Sequence, residues 1–420
     1  MGYMNEFPHT TMFDSDLRQI LELIAKVMDL PNEFNELKKY VETYFGDNFS
    51  KVMNEWLENN KTEIYSATST TLHVYNVLAY GADETGISDS TTAFNSAISD
   101  GARNRGIVFI PGGEYKIGTL EIPDNHPCVI IGEGKEVTKL NCIANSCMTF
   151  NGWCSYLSGM LIECSNGTAV SFTANAPSST ISNVKIIAHK ALEMTGVAQK
   201  AIDCEFLGDN VVVDVGGLDC SSKITRCQVR ANVLREGIGI YIRPHSSTIT
   251  ISECDIFLCN TGIHLDTSAN IFSIEILDSF IDNCNYCLVN VAGGTIYRSR
   301  ISGCWMQADV TAALLHVGIC DGLTIENCQI LKSDGIKITG GTNLVANNRF
   351  MATTQAVLAH NGVLISHDNI FGNVGGYADR MTYAFSRDGA VIWSTNDAFI
   401  GADNHCFNSA ENYNERLAIE

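Results

Sequence analysis

Asp214, Tyr241 and Asp266 are the residues whose types and spacing best suit chemistry in this 420-residue chain. Two short alternating segments, Gly237-Ile-Gly-Ile-Tyr-Ile and Gly262-Ile-His-Leu-Asp, align on their leading glycines. With Asp214 placed by its apolar neighbours, the three side chains form one outward column on three successive turns of a stacked chain. Stacked strands lie about 4.8 Å apart, so two steps separate the carboxylates by about 9–10 Å, near the spacing of inverting glycosidases. One acid would protonate a leaving oxygen while the other activates water. Glu236 is a third candidate catalytic carboxylate. Tyr241 and His264 are candidate substrate-binding residues, the tyrosine ring stacking on a sugar. The competing reading is that these are solvated surface residues of an acidic protein.

Other groups point less clearly to chemistry. Cys284-Asn-Tyr-Cys287 is a lone C-x-x-C without a second pair, so no metal site is expected. His316 and His360 follow apolar strand residues and read as strand-end or surface positions. Trp153 and Trp305 suit either a stacking platform for glycans or a coil edge. No cofactor is expected.

The elements that must position these residues come from a repeat. A pattern of apolar, four residues, apolar starts at Leu157, Ile181, Ile202, Ile224, Ile251, Ile276, Ile296, Ile325, Val345 and Ile365, with steps averaging about 23 residues. Units of this size hold about three short strands joined by tight bends. A mainly β chain wound into a right-handed parallel β-helix, or solenoid, fits best. The two apolar positions have opposite parity, so a bend must lie between them. Small polar residues occupy that bend: Cys227, Cys254, Ser279, Ser299, Cys328 and Asn348. A second such column runs through Asn210, Asn232, Cys259, Cys284, Cys304, Ser333, Thr353 and Asn373. Most of the 16 cysteines are therefore expected to be reduced fillers of stacked bends.

Residues 1–61 instead show helical spacing, with Leu17, Ile20, Ile24 and Val27, then Phe34, Leu37, Val41 and Tyr44. Such stripes need a partner, from each other or from identical chains, which predicts an N-terminal α-helical anchor and oligomerisation region. Residues 62–71 read as a Thr/Ser-rich linker. Residues 72–154 form the entry and N-terminal cap, with a helix capped by Asp89 or Ser90 whose apolar face is Ala93, Phe94, Ala97 and Ile98. The coils occupy 155–375, and 376–420 supply final strands or a cap.

Composition narrows the function classes. With 47 acidic and 27 basic side chains the net charge is −20, which excludes a phosphate-binding surface and predicts no nucleic-acid partner. No apolar run reaches membrane-spanning length. The first residues lack the pattern of a signal peptide, and Glu6 falls where myristoylation needs Ser or Thr, so synthesis in a cytoplasm is expected.

The segment Val77-Leu-Ala-Tyr-Gly-Ala-Asp, with Gly86-Ile-Ser-Asp89 and Val108-Phe-Ile-Pro-Gly-Gly-Glu-Tyr115, resembles the opening of the pectate-lyase-like superfamily. That superfamily includes phage tailspikes, polygalacturonase relatives and epimerases. The resemblance implies a β-helix but no single chemistry. The polygalacturonase motifs Asn-Thr-Asp, Asp-Asp, Gly-His-Gly and Arg-Ile-Lys are missing: Asn260-Thr-Gly lacks the acid and Gly335-Ile-Lys-Ile the arginine. The opening Glu6-Phe-Pro-His-Thr-Thr-Met-Phe-Asp is similar to the aromatic-Pro starts of phage appendage proteins. Together these imply a virion receptor-binding tailspike or fibre, homotrimeric, held to other virion proteins by its N-terminal region and released by lysis. It would bind a host surface polysaccharide, with cleavage of that polymer left open. A purely structural fibre and a bacterial polysaccharide lyase or hydrolase are the alternatives.

Overall fold

The computed structural model describes residues 73–407 and 413–416, except 125, 219, 292–293, 309–314, 332–334, 352–354, 373–380 and 401. The expected helical region 1–61 and linker 62–71 lie outside the described residues.

From Val129 onward the chain forms three parallel ladders, one strand of each per turn, over about 12 turns of solenoid. The first ladder stacks Val129–Ile131, Tyr156–Ser158, Thr180–Ser182, Lys200–Ile202 and so on in register. Its inward column is Ile130, Leu157, Ile181, Ala201, Ile224, Ile251, Ile276, Ile301, Ile325 and Val345, all buried. Three expected members are displaced. Ile202 is the outward neighbour of Ala201 and only half-buried. Ile296 belongs to a two-residue strand in the preceding loop, paired with Ile271 and Cys320. Ile365 faces out beside Leu344, and Ser366 holds the column. At Ile202 and Ile365 a bulkier isoleucine sits beside the true position, and an offset of one residue reverses the face of a strand. At Ile296 the column is held by another isoleucine, Ile301, on the next strand.

Each bend between the first and second ladders turns on one left-handed residue. Examples are Asn183 (φ 51°), Asp203 (55°), Arg226 (51°), Glu253 (54°) and Asp278 (47°), and the series reaches Asn396 (56°). Left-handed backbone costs a non-glycine residue about 1–2 kcal/mol. Here the turned N–H of Arg226 donates to Ser252 O at 3.0 Å, and that of Glu253 to Leu277 O at 3.1 Å, so each bend is tied to the next coil.

The following residue points inward. This column runs Cys204, Cys227, Cys254, Ser279, Cys304, Cys328, Asn348, Asn369 and Asp397, each opening its second-ladder strand or just preceding it. Cys304 stands where Ser299 was expected, and Ser299 instead accepts Ile274 N–H at 3.1 Å. The cysteines are free, and burial holds the Cys227 thiol well above its ordinary range. At the far end Asn348 Nδ2 donates to Asn369 Oδ1, and Asn369 Nδ2 to Asp397 Oδ1, both at 3.0 Å. Hydroxyls of Ser366 and Ser394 close the row on Asp397 Oδ2 at 2.7 and 2.6 Å. In the second bend column Cys259 and Cys284 are buried, whereas Asn210 and Asn232 are exposed; Ser333, Thr353 and Asn373 lie outside the described residues.

The entry cap follows its sequence closely. The helix Thr91–Arg103 buries Ala93, Phe94, Ala97 and Ile98, with Phe94 edge-on to Tyr115 at 5.3 Å. Ser90 occupies the N-cap position, but Asp89 Oδ1 accepts Thr91 N–H at 2.9 Å, while Ser90 Oγ accepts Asp83 N–H. At the other end the strands Met381–Asp388, Val391–Thr395, Ala398–Ile400, Ala402–Phe407 and Tyr413–Arg416 extend the same ladders.

Candidate functional site

The third ladder positions the candidate residues. Its strands include Lys190–Met194, Val211–Val215, Ile238–Ile242 and Thr261–Asp266. Met194, Val215, Ile242 and Leu265 point inward and are buried. Alternation then turns Ser171, Glu193, Asp214, Tyr241 and His264 to the outer face as one row.

This corrects the column expected from sequence. Asp214 and Tyr241 are in register, but His264, not Asp266, is the third member. Gly239, not Gly237, aligns with Gly262, and a Cβ on Gly239 would come within 2.5 Å of Gly262 O. Choosing the earlier glycine shifts the pairing by two residues while keeping the same face. Asp266 lies one outward position beyond His264, yet Tyr241 OH still reaches across and donates to its Oδ2. Glu236 sits apart from the row, exposed in the loop before the strand.

Asp214 is the best-held carboxylate of the face, only 5% exposed. Arg243 Nε and Nη2 grip its two oxygens at 2.7 and 2.9 Å, and Lys190 Nζ lies 2.7 Å from Oδ2. The same two cations meet Glu193: Arg243 Nη2 directly, Lys190 at 3.7 Å. Ser171 Oγ donates to Glu193 Oε2 at 2.8 Å. Burial raises the pKa of Asp214, but the hydrogen bonds and charges of Arg243 and Lys190 outweigh it and hold the carboxyl below its usual range. Asp266 is also shifted down: burial opposes ionisation, while the Tyr241 hydroxyl and Ser268 N–H, at 2.9 Å, favour it. A general acid near neutral pH needs the opposite shift. Glu193 and Asp214 are thus fixed anions paired with the fixed cations Lys190 and Arg243.

Tyr241 and His264 form its sugar-sized element. Their rings stack 5.4 Å apart at 21°, both half-buried. Burial, then the Asp266 hydrogen bond, pushes the Tyr241 hydroxyl up to about 12, so it stays a donor. Burial lowers the His264 pKa more than Asp266 raises it, which favours a neutral ring.

The other candidates are structural or separate. Cys284 and Cys287 are buried, each thiol donating to a nearby backbone carbonyl, Asp282 O at 3.4 Å and Ile281 O at 3.5 Å. His360 Nδ1 is 2.8 Å from Asp388 Oδ2, and the side chain of His316 lies outside the described residues. Trp153 is 51% exposed. Sequence reasoning missed two outward aromatic pairs: Phe272 on Tyr297 (5.1 Å, 11°) and Phe280 on Trp305 (5.4 Å, 3°). Each pair is separated by one coil length, so overlaying the sequence on itself at that step would have found them. Among the described residues no three His, Cys, Asp or Glu groups gather as metal ligands would, and no helix is long and apolar enough to cross a membrane.

The family model for rhamnogalacturonase A/epimerase, pectate-lyase-like proteins matches residues 74–289, just over half of the chain. The chain belongs to this pectate-lyase-like family. A right-handed β-helix model also matches residues 239–400, in agreement with the ladders. Among solved structures, this pectate-lyase-like chain is similar to the Dettilon tailspike protein (14% identity, TM-score 0.58, covering 78% of this chain and 73% of that one). It is also similar to the N-terminal fragment of bacteriophage phi29 gene product 12 (16%, 0.56, covering 81% and 73%). A third is the catalytic unit of an α-1,3-glucanase from Streptomyces thermodiastaticus (15%, 0.52, covering 83% and 72%). At these identities the likeness is one of fold. No curated protein matches the chain.

Proposed function

We propose that this pectate-lyase-like chain is a phage virion receptor-binding spike whose β-helix binds a host surface polysaccharide along the outer face of the third ladder. The observation that carries the reading is the stacked Tyr241–His264 pair beside Asp266, on a rigid sheet face where the neighbouring charges of Lys190, Arg243, Glu193 and Asp214 cancel. Half-buried rings offer a sugar its apolar face, and a carboxylate with spare lone pairs offers its hydroxyls an acceptor. The likeness in fold to a tailspike and a glucanase supports this setting. Identical chains would trimerise through the helical stripes of residues 1–61, which would also hold the spike to other virion proteins. Cleavage by Asp214 and Asp266, with Glu236 assisting, is the further step left open.

The test is binding of the full chain to purified bacterial surface polysaccharides, alongside Tyr241→Ala and His264→Ala. Each variant is expected to weaken binding at least tenfold while keeping the β-sheet circular dichroism signal. Full binding by both variants would reject this face as the site. Release of reducing ends, or of an unsaturated product, reports cleavage. If cleavage occurs, Asp214→Asn combined with Asp266→Asn should abolish it and leave binding measurable.

A further inference from the structure

The charges on the third-ladder face select the kind of polysaccharide it accepts. Lys190 and Arg243 are the cations beside the Tyr241–His264 pair, and both are engaged by Asp214 and Glu193. Asp266 has no Lys or Arg partner among the described residues: Tyr241 OH donates to Oδ2 and Ser268 N–H to Oδ1. The Ser268 hydroxyl also bonds this carboxylate, and since each carboxylate oxygen has room for two donors, three donors leave Asp266 an open acceptor position. Around the ring pair, among the described residues, the face therefore presents an uncompensated negative charge and no uncommitted cation, on a chain of net charge −20. The next cation of the row, Lys337, stands three coils further along, beyond Val289 and His316. A uronate, sialate or phosphodiester on the ligand would meet like charge, and its own desolvated anion would find no partner. A hydroxyl or ammonium group, by contrast, would complete the coordination of Asp266.

Resting on the polysaccharide-binding reading above, we infer that the ligand is a neutral or amino-sugar polysaccharide, free of acidic substituents, whose donors dock on Asp266 while a pyranose face lies on Tyr241 and His264. Asp266 is then the residue that sets specificity, and the Lys190–Glu193–Asp214–Arg243 network commits the two cations nearest the ring pair, which would otherwise attract a polyanion.

The experiment is an array printed with bacterial surface polysaccharides in three sets: neutral, amino-sugar-bearing, and acidic. The wild-type full chain is expected to bind within the first two sets and not the third. Asp266→Asn, which keeps the shape but loses the charge, should lower affinity for the same polymers about tenfold. Wild-type binding confined to the acidic set would overturn the inference and leave the polysaccharide-binding reading standing. Binding to none of the three would overturn both. Unchanged affinity of Asp266→Asn for a neutral polymer would remove Asp266 from the site. If that variant does not fold, the wild-type pattern alone decides the ligand class.

Discussion

The Asp214 carboxylate shows how a residue can be conspicuous in sequence and serve mainly to hold a surface together. Its bonds to Arg243 and Lys190 join neighbouring coils across the third ladder. Charge-assisted hydrogen bonds of this kind contribute about 1.5–3 kcal/mol. Asp214→Asn is expected to destabilise the β-helix by about 2 kcal/mol, read from the urea midpoint. The pH dependence has a definite sign. Asp214 and Asp266 both titrate lower in the folded chain than their ordinary value, so their contribution is complete above about pH 4 and is lost as pH falls through the lowered values. Acidification below pH ~4 should lower the urea midpoint, and Asp214→Asn should make that fall shallower. An equally steep fall in the variant would show that other carboxylates govern it.

At the scale of the strand, most of the winding was legible because buried isoleucines mark it coil by coil. Ile224, Ile251, Ile276 and Ile325 were read correctly. What failed was the single-residue or two-residue choice between neighbours, as at Ala201 and Ile202 or at Gly237 and Gly239. Size and apolarity cannot separate such pairs, since both members satisfy the pattern and only contacts with the adjacent coil decide. The left-handed bends escaped notice for a related reason. They are filled by Asn, Asp, Glu and even Arg226, so no one residue type advertises them. A contrast between faces checks the register. Ile251→Ala should cost about 2–5 kcal/mol, and Ile202→Ala about 1 kcal/mol or less, both by equilibrium denaturation. Comparable losses would place Ile202 inside after all. Of the candidate site, the pairing of Tyr241 with Asp214 was legible, whereas Asp266 lies one outward position off and Glu236 apart from the row. The partners Arg243, Lys190 and Glu193 went unread because ion pairs between coils leave no periodic trace.

The whole molecule raises the question of copies. If the N-terminal stripes join identical chains, light scattering on the full chain should give a trimer, and removal of residues 1–60 should weaken or abolish it. A monomer in both forms would count against a spike. The solenoid also distributes its stability from neighbour to neighbour along one continuous apolar column, which is the usual behaviour of stacked repeats. A change at one coil should therefore be felt mainly by the coils that touch it.

The bends carry one more consequence. Because each is made by a single backbone conformation that hands its N–H to the coil above, one full winding is a self-contained measure of length. Excising Ile251 through Glu275 would bring Thr250 directly before Ile276, in the same phase as before, and the severed ladders would meet again. The expected product is a shorter rod that still melts cooperatively. Lineages could thus have tuned the length of this solenoid by whole windings, without redesigning what lies at either end.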